Sequence, residues 1–184
     1  MPITTLDPAT ALVVIDLQRG IVANPLAHPA DAIIAHAARL ARAFRARGLP
    51  VVLVNVAGRA PGRTDARLPP FQPPADWTEL VPELAPAPTD LRITKYTWGA
   101  FHGTPLDLQL RRRGVTQLVL CGISTSIGVE TTARAAYEHG YHVTLAVDAM
   151  TDAVPELHHN TVERVFPRLG ETGTTADVLA RLGA

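Results

Sequence analysis

The chain of 184 residues is 47% hydrophobic and 18% charged, with 17 basic residues balancing 17 acidic ones. That composition excludes a disordered chain, and zero net charge removes the broad positive face a nucleic-acid binder needs. No apolar run approaches the roughly 20 residues that cross a bilayer, no signal segment opens the chain, and a lone cysteine cannot form an internal disulfide, so a cytoplasmic protein with one domain over residues 1–184 is expected.

Taken in order, Ala11 to Ile15 is an unbroken apolar run ending at Asp16, the pattern of a buried parallel strand. From Asp31 to Arg47, apolar residues recur at helical spacing with arginines opposite, and Gly48 stops the helix. Val51 to Val54 is a second buried strand. Ala57 to Pro88 is rich in Pro, Arg and Ala without periodicity and reads as a long loop, the kind that often serves as a lid or a subunit contact. A short strand over Leu91 to Thr94 runs into Lys95. Pro105 to Arg113 is a helix with proline at its start and Gly114 behind it. Gln117 to Cys121 is a strand, Gly122 to Gly128 a strand-end loop, and Val129 to His139 a helix closed by Gly140. His142 to Val147 is a strand, Val154 to Phe166 a helix, and Thr175 to Leu182 a terminal helix. This alternation predicts a doubly wound, mostly parallel α/β sheet flanked by helices, a Rossmann-type three-layer architecture.

Lysine usage is uneven. Sixteen of the 17 basic residues are arginine, and Lys95 is the only lysine. Where arginine is so favoured, a retained lysine suggests a site that wants a compact ammonium rather than a planar fork.

Ligands of open α/β sheets bind beyond the carboxyl ends of the strands, where strand order reverses. Asp16, Lys95 and the Gly122–Gly128 loop all fall at such ends. Burial raises a carboxyl pKa and a neighbouring lysine lowers it. The pair therefore reads either as a structural ion pair or as an acid/base unit. The loop feeds backbone N–H groups into a helix start, which suits an oxyanion, or is a plain tight turn.

Val14-Ile-Asp-Leu-Gln18, Thr94-Lys95, Ala100-Phe101 with Thr104-Pro-Leu-Asp107, and Leu118-Val-Leu-Cys-Gly-Ile-Ser-Thr125 together resemble the isochorismatase-like hydrolases, in the same order along nearly the whole chain. The resemblance implies a six-stranded sheet, a small-molecule substrate, a homodimer or homotetramer, and a cis peptide at Ile123–Ser124. Most members use an Asp–Lys–Cys triad, for which Asp16 and Lys95 match the first two. The cysteine would fall six residues after Gly122, and this chain has Gly128 there. A glycine closes the covalent route at that position, as in isochorismatase proper, which hydrolyses a vinyl ether by acid catalysis. The resemblance thus implies Asp16 as acid, Lys95 as electrostatic partner, and Gly128 as supplier of space.

Cys121 lies within the strand and reads as core. Gln18 either orients a ligand or caps the strand end. Tyr96, Trp98 and Phe101 either wall a cyclic substrate or pack in the core, while Ile123, Ser124 and Ile127, in the strand-end loop, are expected to contact the substrate. Arg59, Arg63 and Arg67 either meet a substrate acid or are solvated. No cofactor is called for, and no metal is expected, because the zinc-binding region of nicotinamidase-like members corresponds to Asn55-Val-Ala-Gly-Arg59, which has no histidine. The alternative to an enzyme is a degenerate member that binds a ligand or partner.

Overall fold

The computed structural model describes residues 3–66 and 71–183. Six strands form one sheet: β1 (Thr10–Ile15), β2 (Val51–Val56), β3 (Leu91–Lys95), β4 (Gln117–Ile123), β5 (His142–Thr151) and β6 (Glu171–Gly173). Their order is β3-β2-β1-β4-β5-β6, and every pairing is parallel. The chain winds outward from β1 to β3, then restarts at β4 on the other side of β1. Strand order therefore reverses between β1 and β4, and a crevice is expected above their carboxyl ends.

Period-two alternation sorts β1 between two cores. Leu12 and Val14 join the core beneath α2 (Ala30–Ala46) and α6 (Thr175–Leu182). Ala11, Val13 and Ile15 join the core beneath α3 (Leu106–Arg111) and α4 (Glu130–Glu138). Cys121 is fully buried in the first core, as expected, and burial pushes its thiol up to about 12, which leaves it inert.

Four features depart from the sequence expectations. β5 runs to Thr151, past the predicted end at Val147, through a bulge that skips from Leu120↔Leu145 to Gly122↔Met150. Asp148 interrupts the apolar run there because its carboxylate caps α6, accepting from Thr175 N at 2.6 Å and Thr175 Oγ1 at 2.8 Å. The helix expected from Val129 begins earlier, as a wide π turn over Thr125–Val129. A one-turn helix α1 (Arg19–Val22) follows β1 directly, and α5 (Pro155–Asn160) continues through a second π turn over Thr161–Val165. The long segment after β2 is not free of structure. Residues 77–81 return along residues 17–20 through Gly20 N→Trp77 O, Arg19 N→Glu79 O and Val81 N→Leu17 O, and Pro82–Leu84 forms a 3₁₀ turn. Arg67 lies outside the described residues.

Candidate active site

Asp16 leaves β1 with φ 51°, in the left-handed region that asparagine and aspartate tolerate better than most residues. This turn lifts its carboxyl over the β1–β4 crevice. On the β4 side, Gly122 (φ 120°) is obligatory, because a Cβ there would stand 2.0 Å from Ile15 O. The Ile123–Ser124 peptide that follows is cis, as expected from the resemblance. Lys95 reaches in from the end of β3, two strands away, by the length of its side chain.

Lys95 Nζ lies 2.7 Å from Asp16 Oδ2 and donates to Trp98 O at 2.8 Å and Thr97 O at 3.2 Å, so its three protons are all used. Both side chains are buried. Burial pushes the Asp16 carboxyl from 3.8 up to about 6, outweighing the opposing charge and hydrogen bond of Lys95. The second carboxylate oxygen, Oδ1, is buried and has no hydrogen-bond partner in the structure. With Oδ2 held by an ammonium, a proton taken up near pH 6 belongs on Oδ1.

Asp16 and Lys95 lie on a cavity of about 210 Å³. Of the residues expected at the site, Gly128, Trp98, Ile123, Ser124 and Ile127 line it with them. At Gly128 a Cβ would come within 3.0 Å of Ile15 Cγ2 and 3.3 Å of Asp16 Oδ2, so glycine keeps the space beside the carboxyl open. Arg59 also lines the cavity, whereas Arg63 is exposed and does not. Trp77, from the long segment after β2, adds a wall that nothing in its local sequence announces.

Three expected residues are placed elsewhere. Gln18 is fully buried and its amide is consumed by backbone, donating to Val56 O and Trp77 O at 3.0 Å each and accepting from Val56 N at 2.7 Å. It fastens the Trp77 segment to the end of β2 instead of meeting ligand. Tyr96 is 62% exposed with its ring against Gly58, outside the cavity. Phe101 packs in the core beside Tyr141, because the chain turns inward after Gly99. For Gln18→Ala, stranding three half-buried backbone groups is expected to cost roughly 1–3 kcal/mol in urea unfolding, and the loosened Trp77 wall should raise KM.

The strand-end loop is less of an anion cradle than its sequence suggests. Ile127 N and Val129 N both donate to Ser124 O, and Ser126 N donates to Asp152 Oδ2 at 2.8 Å. Asp152 also accepts from Ser126 Oγ at 2.8 Å, and Thr125 Oγ1 pairs with His158 Nδ1 at 2.8 Å. These buried groups hold the π turn from behind, and sequence reading missed both. Asp152 stands directly after β5, so the strand-end rule that singled out Asp16 would have found it had the end of β5 been placed correctly. Among the described residues, no three His, Cys, Asp or Glu side chains gather closely enough to share a metal ion, and no helix is long and apolar enough to cross a membrane.

The isochorismatase domain model matches residues 10–177. The chain belongs to the isochorismatase family. A family protein of Escherichia coli O157:H7, YecD, is 43% identical over 182 residues, covering 94% of this chain and 96% of the relative. The solved structure of an isochorismatase family protein from Burkholderia thailandensis superposes with a TM-score of 0.94 at 44% identity, covering 100% of this chain and 99% of the other. A ureidoacrylate amidohydrolase of Methylobacterium radiotolerans is 32% identical, covering 97% of this chain and 81% of the relative. The protein is accordingly an isochorismatase-family hydrolase of small molecules.

Proposed function

We propose that this hydrolase cleaves a small cyclic or enol-ether metabolite without a covalent enzyme intermediate, using Asp16 as general acid and Lys95 as its electrostatic partner. The observation that carries the reading is the asymmetry of the Asp16 carboxyl. One oxygen is bound by Lys95, and the other is buried and unclaimed. A carboxyl so held can carry a proton near neutrality and deliver it from Oδ1.

For a vinyl ether, Asp16 Oδ1 gives its proton to the terminal methylene carbon, and the π electrons form that C–H bond. The resulting oxocarbenium carbon takes up water, which returns one proton to Asp16. The hemiketal then breaks its C–O bond to release pyruvate and an alcohol. Lys95 stabilises the aspartate anion formed at the first step. The open position at Gly128 supports this route over thiol chemistry, since no side chain at 128 stands beside the carboxyl to attack an amide. Trp77 and Trp98 provide flat apolar walls for a ring, and the presence of Arg59 in the cavity lining supports a substrate that carries a carboxylate.

The reading is tested by pyruvate release from isochorismate. Wild-type protein should release it and Asp16→Ala should not. No release by the wild type would remove isochorismate as substrate, and equal release by both would remove Asp16 from the mechanism. Gly128→Ala should lower kcat/KM by roughly tenfold or more, because the methyl forces Asp16 or Ile15 to shift by a few tenths of an ångström and catalysis is sensitive to such displacement. Unaltered kinetics in that variant would mean that the space beside Asp16 is not used.

A further inference from the structure

Thr132 lies on the second turn from the start of the helical stretch, fully buried, and does not line the cavity. Its Oγ1 donates to Gly128 O at 2.7 Å and accepts from Ala100 N at 3.1 Å. The first bond is an ordinary back-bond of a helical threonine to the carbonyl four residues earlier. The second is not local: it joins α4 to the turn after β3, 32 residues away in sequence. That turn carries Thr97 O and Trp98 O, the two carbonyls that hold Lys95 Nζ. Packing reinforces the joint, since a Cβ at Gly99 would lie 2.9 Å from Thr131 Cγ2, so the helix and the turn meet without spare room.

We propose that Thr132 is a positioning residue, whose single hydroxyl ties the Gly128 backbone to the 97–100 turn and thereby fixes where Lys95 stands against Asp16. The proposal rests on the reading of Asp16 and Lys95 as the working pair. Both partners of the hydroxyl are backbone groups, so the link sets the separation of two chain segments and not merely the rotamer of one side chain. It spans the two sides of the crevice: Gly128 leaves room beside Asp16 Oδ2, and the turn anchors the ammonium that grips that same oxygen. Without the hydroxyl, Ala100 N loses its buried acceptor, and a buried donor without a partner draws in water or shifts. Either response reaches Thr97 O and Trp98 O within three residues.

The test follows the titration of Asp16 by carboxyl ¹³C NMR, with the signal assigned by its loss in Asp16→Asn. It needs no substrate, so it stands apart from the pyruvate experiment. Thr132→Ser keeps the hydroxyl and should titrate at the wild-type midpoint. Thr132→Val keeps the shape without the hydroxyl, and its midpoint should rise above about 6, because a turn that no longer holds Lys95 against Asp16 weakens the charge and hydrogen bond that lower it. Thr132→Ala, which adds no bulk to the helix, supplies the same reading if the valine variant does not fold. A folded variant without the hydroxyl that titrates at the wild-type midpoint would overturn the proposal, leaving Thr132 a packing residue whose loss lowers only Tm. A serine variant displaced as far as the valine variant would also overturn it.

Discussion

Replacing Asp16 with asparagine is expected to lower kcat by about 10²–10⁴, the range over which a positioned proton donor acts. The amide keeps the shape of the side chain and can still accept from Lys95, but it has no proton to deliver. The pH profile gives the sharper discrimination. A carboxyl acting as an acid must be protonated, so kcat/KM of the wild type should be level at low pH and fall about tenfold per pH unit above the Asp16 pKa of about 6. A carboxylate acting as a base requires the opposite, a rate that rises through the same window. Initial rates between pH 5 and 8 separate the two, and a rising limb would sink the acid assignment. Folding linkage follows the same sign. Native Asp16 holds its proton up to about pH 6, whereas the unfolded side chain loses it near 3.8. The native state therefore binds more protons across that interval, and the Asp16 contribution to stability falls as pH rises from about 4 to 6 and is level above.

How much of this was legible in the sequence depends on how local each cause is. β1 and β4 are buried at every position and carry no polar side chain after Thr10 and Gln117, because helices cover both faces of the sheet, and such runs are recognisable one strand at a time. Asp16 was visible because a charge closing an apolar strand is conspicuous, and Lys95 because it is the only lysine in the chain. Their contact was not, since β2 separates their strands in the sheet and only the reach of a lysine side chain joins them. Trp77 was invisible for a similar reason. Its place is set by backbone bonds to residues 17–20, which leave no periodic trace in the segment that carries them. Gln18 and Phe101 show the converse. Each has a composition suited to a site, yet each is spent on structure: the amide has three backbone partners within reach, and the ring is better satisfied in the core beside Tyr141 than at the rim. β6 has only three residues, too few for alternation to register, and its Glu171 accepts from Thr4 N and Thr4 Oγ1 near the start of the chain.

Lys95 carries the largest expected effect on stability, and the effect should depend on pH. In Lys95→Met a side chain of similar length leaves Asp16 buried without its counter-charge, and breaking a buried pair in this way costs about 3–5 kcal/mol. Asp16 can escape part of that cost by keeping its proton. Lys95 is the group that lowers its pKa, so in the variant the midpoint moves above about 6. Between the wild-type midpoint and the new one, the wild type no longer loses stability with rising pH while the variant continues to do so, at about 1.4 kcal/mol per pH unit. The penalty from urea unfolding should therefore be larger at pH 8 than at pH 5.5. A penalty equal at the two values would mean that Asp16 is not the charge Lys95 balances, leaving only the stranded carbonyls of Thr97 and Trp98 to account for the loss. Arginine should not rescue the site. The ammonium points its three protons at one carboxylate and two carbonyls around a single nitrogen, in a space that leaves the side chain 2% exposed. A planar guanidinium spreads its donors over three nitrogens and needs more room than that. In a chain that uses arginine at every other basic position, this geometry is a physical reason for lysine at 95.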